Sequence, residues 1–227
     1  LVMGNRFMDT PRLAALVIEF GLVAVNVEYR LAPEHPGRAP VDDCYAGLEW
    51  TAKNAAELGI DPSRLIVMGG SAGGCLSAGV ALMARDLGGP ALAGQLLLTP
   101  MLDDRNQTVS SFQYESVGTW TRNANLFSWG AVLGEEVGRP DVSAYVAPAR
   151  ATDLSNLPPA YIELGSAELF RDEGADYASR IWAAGGEAEL HIWNGGFHGF
   201  DMFCATSALT ADALAARSSW LRRLLSR

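Results

Sequence analysis

The feature that most constrains this chain is a serine in a glycine-rich turn between an apolar run and a helical pattern. Arg64 to Met68 is strand-like, Gly69 to Gly74 reads Gly-Gly-Ser-Ala-Gly-Gly, and a helix is expected over 72–86. A serine at such a turn is held in a strained conformation with its hydroxyl exposed. The pattern predicts Ser71 as a nucleophile. A phosphate-binding helix start is disfavoured, because the segment has neither the GxGxxG register nor a Lys-Ser/Thr pair.

Elsewhere, strand-like runs alternate with helical patterns, which is typical of a parallel sheet with helices on both faces. We predict strands at 22–29, 64–68, 95–99, 160–164 and 188–193, and helices near 10–20, 41–58, 72–86, 170–184 and 206–225. The predicted fold class is therefore α/β. A length of 227 residues favours one domain spanning 1–227.

Residues 103–158 break this alternation, and we interpret them as an insertion that packs near one end of the sheet. The segment carries Trp120, Phe127 and Trp129. Such aromatic side chains either pack in the interior or form a wall of a substrate pocket. The sequence leaves both interpretations open.

Charge and cysteine content exclude several classes of partner. The chain has a net charge of −9, whereas binding to nucleic acid or an anionic membrane normally needs a basic face. Three cysteines without CxxC spacing, Cys44, Cys75 and Cys204, indicate neither a disulfide framework nor a zinc site. We expect a reducing, cytoplasmic location and no membrane span, because five glycines interrupt the uncharged stretch 65–84.

A serine nucleophile needs a general base and a carboxylate that orients the base. Of three histidines, His198 is best placed, because it follows the strand at 188–193 in a glycine-bounded loop. The acid is expected after the preceding strand, which predicts Glu168. Asp172 is the alternative, although an acid in the first turn of a helix is favoured without any catalytic role.

These motifs resemble the hormone-sensitive-lipase-like (bacterial family IV) esterases of the α/β-hydrolase superfamily, along nearly the whole chain. Tyr29 to Pro36 is similar to the family's YRLAPEHP segment, Gly69 to Gly74 to its GDSAGG turn, and Gly196 to Phe200 to its HGF ending. The resemblance implies a serine carboxylesterase acting on small, short-chain acyl esters, with lactones as an alternative. It implies the Ala72 N–H as an oxyanion donor and no metal or organic cofactor.

Three departures from the family pattern stand out. Gly70 replaces the usual Asp before the nucleophile, and Glu168 replaces the usual Asp of the triad. The HGGG segment, which carries the remaining oxyanion donors in the family, would lie directly before Leu1. We therefore expect an N-terminally truncated chain that lacks the first strands and the cap, including an inner strand between 22–29 and 64–68.

Other interpretations remain open at this point. The plant gibberellin receptors resemble the family but lack the catalytic histidine, so a catalytically silent binding protein is one alternative, and an inactive truncated product is another. An exposed edge strand near 187–193 could also pair with a second copy, which makes a homodimer an option.

Overall fold

The computed structural model describes all 227 residues. Four parallel strands form one sheet in the order β1-β2-β3-β4: β1 Ile66–Gly70, β2 Gly94–Leu98, β3 Ala160–Ala167 and β4 Ala188–Phe197. The helices are α1 Thr10–Phe20, α2 Ala39–Lys53, α3 Ala55–Leu58, α4 Ala72–Asp86, α5 Val109–Gln113, α6 Arg122–Leu133, α7 Arg171–Ala183, α8 Phe200–Phe203 and α9 Ala208–Leu225. The predicted α/β class and the five predicted helices are confirmed, with the second helix divided at Asn54.

Alternate residues of the strands point to opposite faces of the sheet, and each face is covered by helices. Leu97 and Ile162 belong to the larger core, which α2, α4 and α7 complete. Leu96 and Tyr161 point the other way and pack with Trp220 of α9 and with apolar residues of α1. The sheet is therefore buried on both sides, as its apolar strands predict.

The predicted strand at 22–29 is wrong. These residues run beside the sheet without forming part of it, and no backbone N–H or C=O of 22–29 has a backbone partner. A strand exists only through hydrogen bonds to a neighbour, and a cavity separates this segment from β1. Its apolar residues are left exposed, with Val23 at 50% and Val25 at 40%.

The three aromatic residues of 103–158 have different environments. Trp129 of α6 is completely buried in the larger core, whereas Phe127 on the same helix is exposed. Trp120, just before α6, is half-buried. None of the helices is long and apolar enough to cross a membrane.

Candidate active site

Ser71 occupies a strained turn between β1 and α4. Its φ and ψ are 55° and −115°, a conformation that costs a non-glycine residue about 1–3 kcal/mol. Two hydrogen bonds fix it: Ser71 N donates to Leu98 O at 2.8 Å, and Met101 N donates to Ser71 O at 3.2 Å. A Cβ on Gly69 would lie 2.2 Å from the backbone of Gly73, so only glycine permits this tight reversal.

The imidazole of His198 lies between a serine and a carboxylate. Its Nε2 is 3.0 Å from Ser71 Oγ, and its Nδ1 is 2.7 Å from Glu168 Oε2. A carboxylate only accepts hydrogen bonds, so Nδ1 carries the proton and donates it. Nε2 is then free to accept the hydrogen bond of the serine hydroxyl, which is the arrangement that a general base needs. The ring of Phe170 packs edge-on against the imidazole at 5.1 Å.

Glu168 is held in place by the ends of β3 and β4. Its side chain is fully buried, and its Oε1 accepts a hydrogen bond from Gly165 N at 2.8 Å. A Cβ on Gly165 would lie 2.1 Å from Gly196 O, so the glycine allows the two strands to converge. This convergence brings the loops that carry Glu168 and His198 together.

The alternative acid Asp172 and its neighbour Glu173 bind other groups. Asp172 Oδ2 accepts from Ser110 N at 2.7 Å, and its other oxygen binds the neighbouring Arg171. Glu173 accepts from Leu102 N at 2.6 Å. Neither carboxylate contacts His198, so the structure brings the predicted acid, and not the alternative, to the imidazole.

The other two histidines are also away from the serine. His35 is exposed, in the proline-bounded turn before α2. His191 lies on β4, where its Nε2 is 3.0 Å from Glu189 Oε1 and its ring stacks on Trp193 at 5.3 Å. His191 is thus a satisfied structural histidine.

Ser71 and His198 open into a cavity of about 840 Å³. Its lining includes Thr119 and Trp120 of the 103–158 segment. The cavity also extends between 22–27 and β1. Of the two interpretations of the aromatic residues, the pocket wall applies to Trp120 and interior packing to Trp129. No group of three His, Cys, Asp or Glu side chains is arranged to hold a metal ion.

A buried network of ion pairs, which the sequence did not reveal, lines the same cavity as Ser71 and His198. Arg217 of α9 binds both carboxylate oxygens of Glu163 and also Asp201 Oδ2, the last at 2.7 Å. Arg12 of α1 binds the same Asp201 oxygen at 3.0 Å. Burial alone raises the pKa of Asp201, but Arg12 and Arg217 outweigh it and hold the pKa below its ordinary value. Arg12 and Asp201 are 189 positions apart, so no local pattern joins them.

The sequence of this chain is similar to those of known hydrolases and esterases. The family model described as alpha/beta hydrolase fold matches residues 1–202. Carboxylesterase NlhH of Mycobacterium tuberculosis (strain H37Rv) is 39% identical over 98% of this chain and 70% of its own length. Esterase LipI of the same strain is 34% identical over 78% of this chain and 55% of its own length.

The solved structures that superpose on this chain include esterases. The bacterial heroin esterase superposes with a TM-score of 0.96 at 44% identity, covering 99% of this chain and 71% of that one. Esterase LipW from Mycobacterium marinum superposes with a TM-score of 0.93 at 35% identity, covering 100% of this chain and 70% of that one. The fold and the site thus define an α/β hydrolase. The chain belongs to the hormone-sensitive-lipase-like branch of that family, as the motifs predicted.

Proposed function

We propose that this protein is a carboxylesterase in which Ser71 is the nucleophile, His198 the general base and Glu168 the orienting acid. The observation that carries the proposal is the continuous line of hydrogen bonds from Ser71 Oγ through the imidazole to Glu168. Esterase relatives at 34–39% identity support the reaction type.

Each step follows from the position of these groups. Ser71 Oγ attacks the ester carbonyl while His198 Nε2 takes its proton, and Glu168 stabilises the imidazolium that forms. The oxyanion accepts a hydrogen bond from Ala72 N, which as the first residue of α4 has no intrahelical acceptor. The imidazolium then protonates the departing alcohol. Water activated by His198 cleaves the acyl-enzyme and releases the carboxylic acid.

The proposed substrates are short acyl esters. Trp120 lines the cavity beside Ser71 and His198, and the resemblance to the esterase family implies short acyl chains. A series of p-nitrophenyl esters from acetate to palmitate tests this assignment. We expect the highest kcat/KM between acetate and octanoate, and a maximum at palmitate would contradict it.

Three variants test the roles of the residues, and the chain offers a matched control for each. Ser71→Ala and His198→Ala should abolish turnover, while Ser218→Ala and His35→Ala, at surface positions, should retain it. Glu168→Ala should reduce kcat severely, and Asp172→Ala should not. If Asp172→Ala abolished activity and Glu168→Ala did not, the acid assignment would be wrong. Ser71 should also be the residue labelled by an organophosphonate.

We propose further that the single catalytic domain contains an additional strand between 22–27 and β1, with 103–158 as the insertion beside the active site. The unpaired backbone and exposed apolar side chains of 22–27 support it, because a neighbouring strand would pair these backbone groups and cover these side chains. The test compares hydrogen exchange of 22–27 and 66–70, and ester turnover, in this chain and in one extended upstream of Leu1. Protection and faster turnover in the extended protein are expected; identical exchange would contradict the added strand.

We also propose a cytoplasmic location and a homodimer formed through the free edge of β4. The free thiols of Cys44, Cys75 and Cys204 fit a reducing compartment. The partly exposed Ile192 on β4 supports edge pairing. Sedimentation should give the dimer mass, which Ile192→Lys should halve. A monomer at all concentrations would contradict pairing through β4.

A further inference from the structure

One ion pair lies between the two segments that carry Ser71 and His198. Arg12 donates from Nη2 to Asp201 Oδ2 at 3.0 Å, and Asp201 lies in α8, three residues after His198. The other terminal nitrogen of Arg12, Nη1, lies 3.0 Å from the place that a Cβ on Gly70 would occupy. Because Gly70 directly precedes Ser71, the guanidinium of Arg12 is in reach of both segments at once.

Residues of α9 and β3 hold this ion pair in place. Arg217 of α9 binds Asp201 and is itself bound by Glu163 of β3. The side chains of Arg12 and Asp201 are only 12% and 9% exposed. Separating Arg12 from Asp201 would leave a buried charge without its partner, which is costly. The two side chains are therefore held together. The position of the four-residue helix α8 therefore depends on α1, α9 and β3.

The glycine at position 70 leaves the space that the Arg12 guanidinium borders. Its φ is not positive, so the backbone accepts an alanine there. The added methyl group would press on Arg12 Nη1, with no closer neighbour. Gly70→Ala is thus a way to displace Arg12 without removing a charge.

We propose that Arg12 and Asp201 are positioning residues whose ion pair fixes the approach of the His198 imidazole to the Ser71 hydroxyl. The proposal rests on the roles proposed above for Ser71 and His198. A misplacement of about 1 Å can reduce a rate about a hundredfold. We therefore expect Arg12→Met and Asp201→Asn to lower kcat about tenfold to a hundredfold, and the rate of phosphonate labelling of Ser71 to fall in parallel, with KM little changed.

A matched control separates positioning from general stability. Arg150 is 11% exposed and pairs with the buried Asp104 at 2.6 Å, but it does not line the cavity. Arg150→Met should lower Tm and leave kcat at the wild-type value below the transition. Arg12→Lys, which keeps one charged donor, should recover part of the lost kcat. Gly70→Ala should lower kcat less than Arg12→Met does. If Arg12→Met does not fold, Arg12→Lys and Gly70→Ala test the proposal, and wild-type kcat in both would overturn it.

Two further outcomes decide the question. In the double variant Arg12→Met with Asp201→Asn, the loss in kcat should not exceed the loss in Asp201→Asn by more than about twofold. Asp201→Asn already breaks the pair with Arg12 as well as the pair with Arg217. Fully multiplied losses, or wild-type kcat in both single variants, overturn the proposal. Activity retained in Ser71→Ala would instead refute the proposed nucleophile. An inactive Ser71→Ala beside a fully active Arg12→Met refutes the positioning role alone.

Discussion

The hydroxyl of Thr119 donates a hydrogen bond to the backbone carbonyl of His198 at 2.5 Å. Thr119 belongs to the 103–158 segment, and His198 directly follows β4. This bond therefore connects the 103–158 segment directly to the loop of the proposed general base. It acts together with Phe170, which packs against the ring of His198.

Removing this hydroxyl should reduce activity moderately. Thr119→Val keeps the shape of the side chain but loses the donor, and a net hydrogen bond contributes about 0.5–1.5 kcal/mol. We expect kcat to fall about twofold to tenfold, with Tm nearly unchanged because Thr119 is exposed. Thr51→Val is the control, because its hydroxyl binds Gly47 O within α2. An equal loss in both variants would contradict a role at the His198 loop.

The Arg217 side chain should dominate the stability of the smaller core face. Arg217→Met leaves Glu163 without its bidentate partner and Asp201 with Arg12 alone, and breaking a buried ion pair costs about 3–5 kcal/mol. Urea unfolding should report this loss in the free energy of unfolding. Arg222→Met on the same helix removes an exposed pair with Glu19, which should cost at most about 1 kcal/mol. Equal losses would show that the buried network does not stabilise the fold.

Glu173 should make stability fall as pH rises. Burial raises its pKa well above the ordinary value, even though the backbone N–H of Leu102 opposes the shift. A carboxyl with a raised folded-state pKa contributes its stability below the unfolded pKa of about 4.3 and loses it as pH rises through the folded value. Glu173→Gln does not titrate, so its free energy of unfolding should fall less between pH 4.5 and pH 8 (a range of about 3.5 units). The exposed Glu187→Gln should keep the wild-type slope; equal slopes in all three proteins would contradict the assignment.

The candidate site could be predicted from the sequence because each of its residues lies at the end of a strand. Ser71, Glu168 and His198 each directly follow the last residue of a strand, and the ends of parallel strands meet at one edge of the sheet. Sequence order alone thus predicted that the three would converge. The sequence favoured Glu168 over Asp172 but kept Asp172 as the alternative, because the helix dipole favours an acid in the first turn of α7 without any catalytic role.

Features that depend on distant partners were not predictable in this way. Residues 22–29 have strand composition, but composition cannot supply the neighbouring strand that hydrogen bonding requires. The pair of Arg12 and Asp201 joins two short segments from opposite ends of the chain. Trp129 of α6 packs in the larger core, whereas Trp120, which precedes that helix, lines the cavity. The two residues look alike in the sequence.

Trp120 should limit the size of the acyl group. It lines the cavity beside Ser71 and His198, and its indole is fixed by a hydrogen bond from Nε1 to Asn125 at 3.3 Å. Trp120→Ala removes the wall, and one additional buried methylene changes transition-state binding by about 1–3 kcal/mol. We expect the ratio of kcat/KM for p-nitrophenyl octanoate to that for acetate to rise at least about tenfold.

The control for this variant is Phe127→Ala, because Phe127 is equally aromatic but 72% exposed on α6 and does not line the cavity. Its chain-length profile should match that of the wild type. Trp129→Ala should instead lower Tm, because that indole is completely buried. If Trp120→Ala left the octanoate-to-acetate ratio unchanged while reducing both rates equally, Trp120 would support the site without selecting the acyl group.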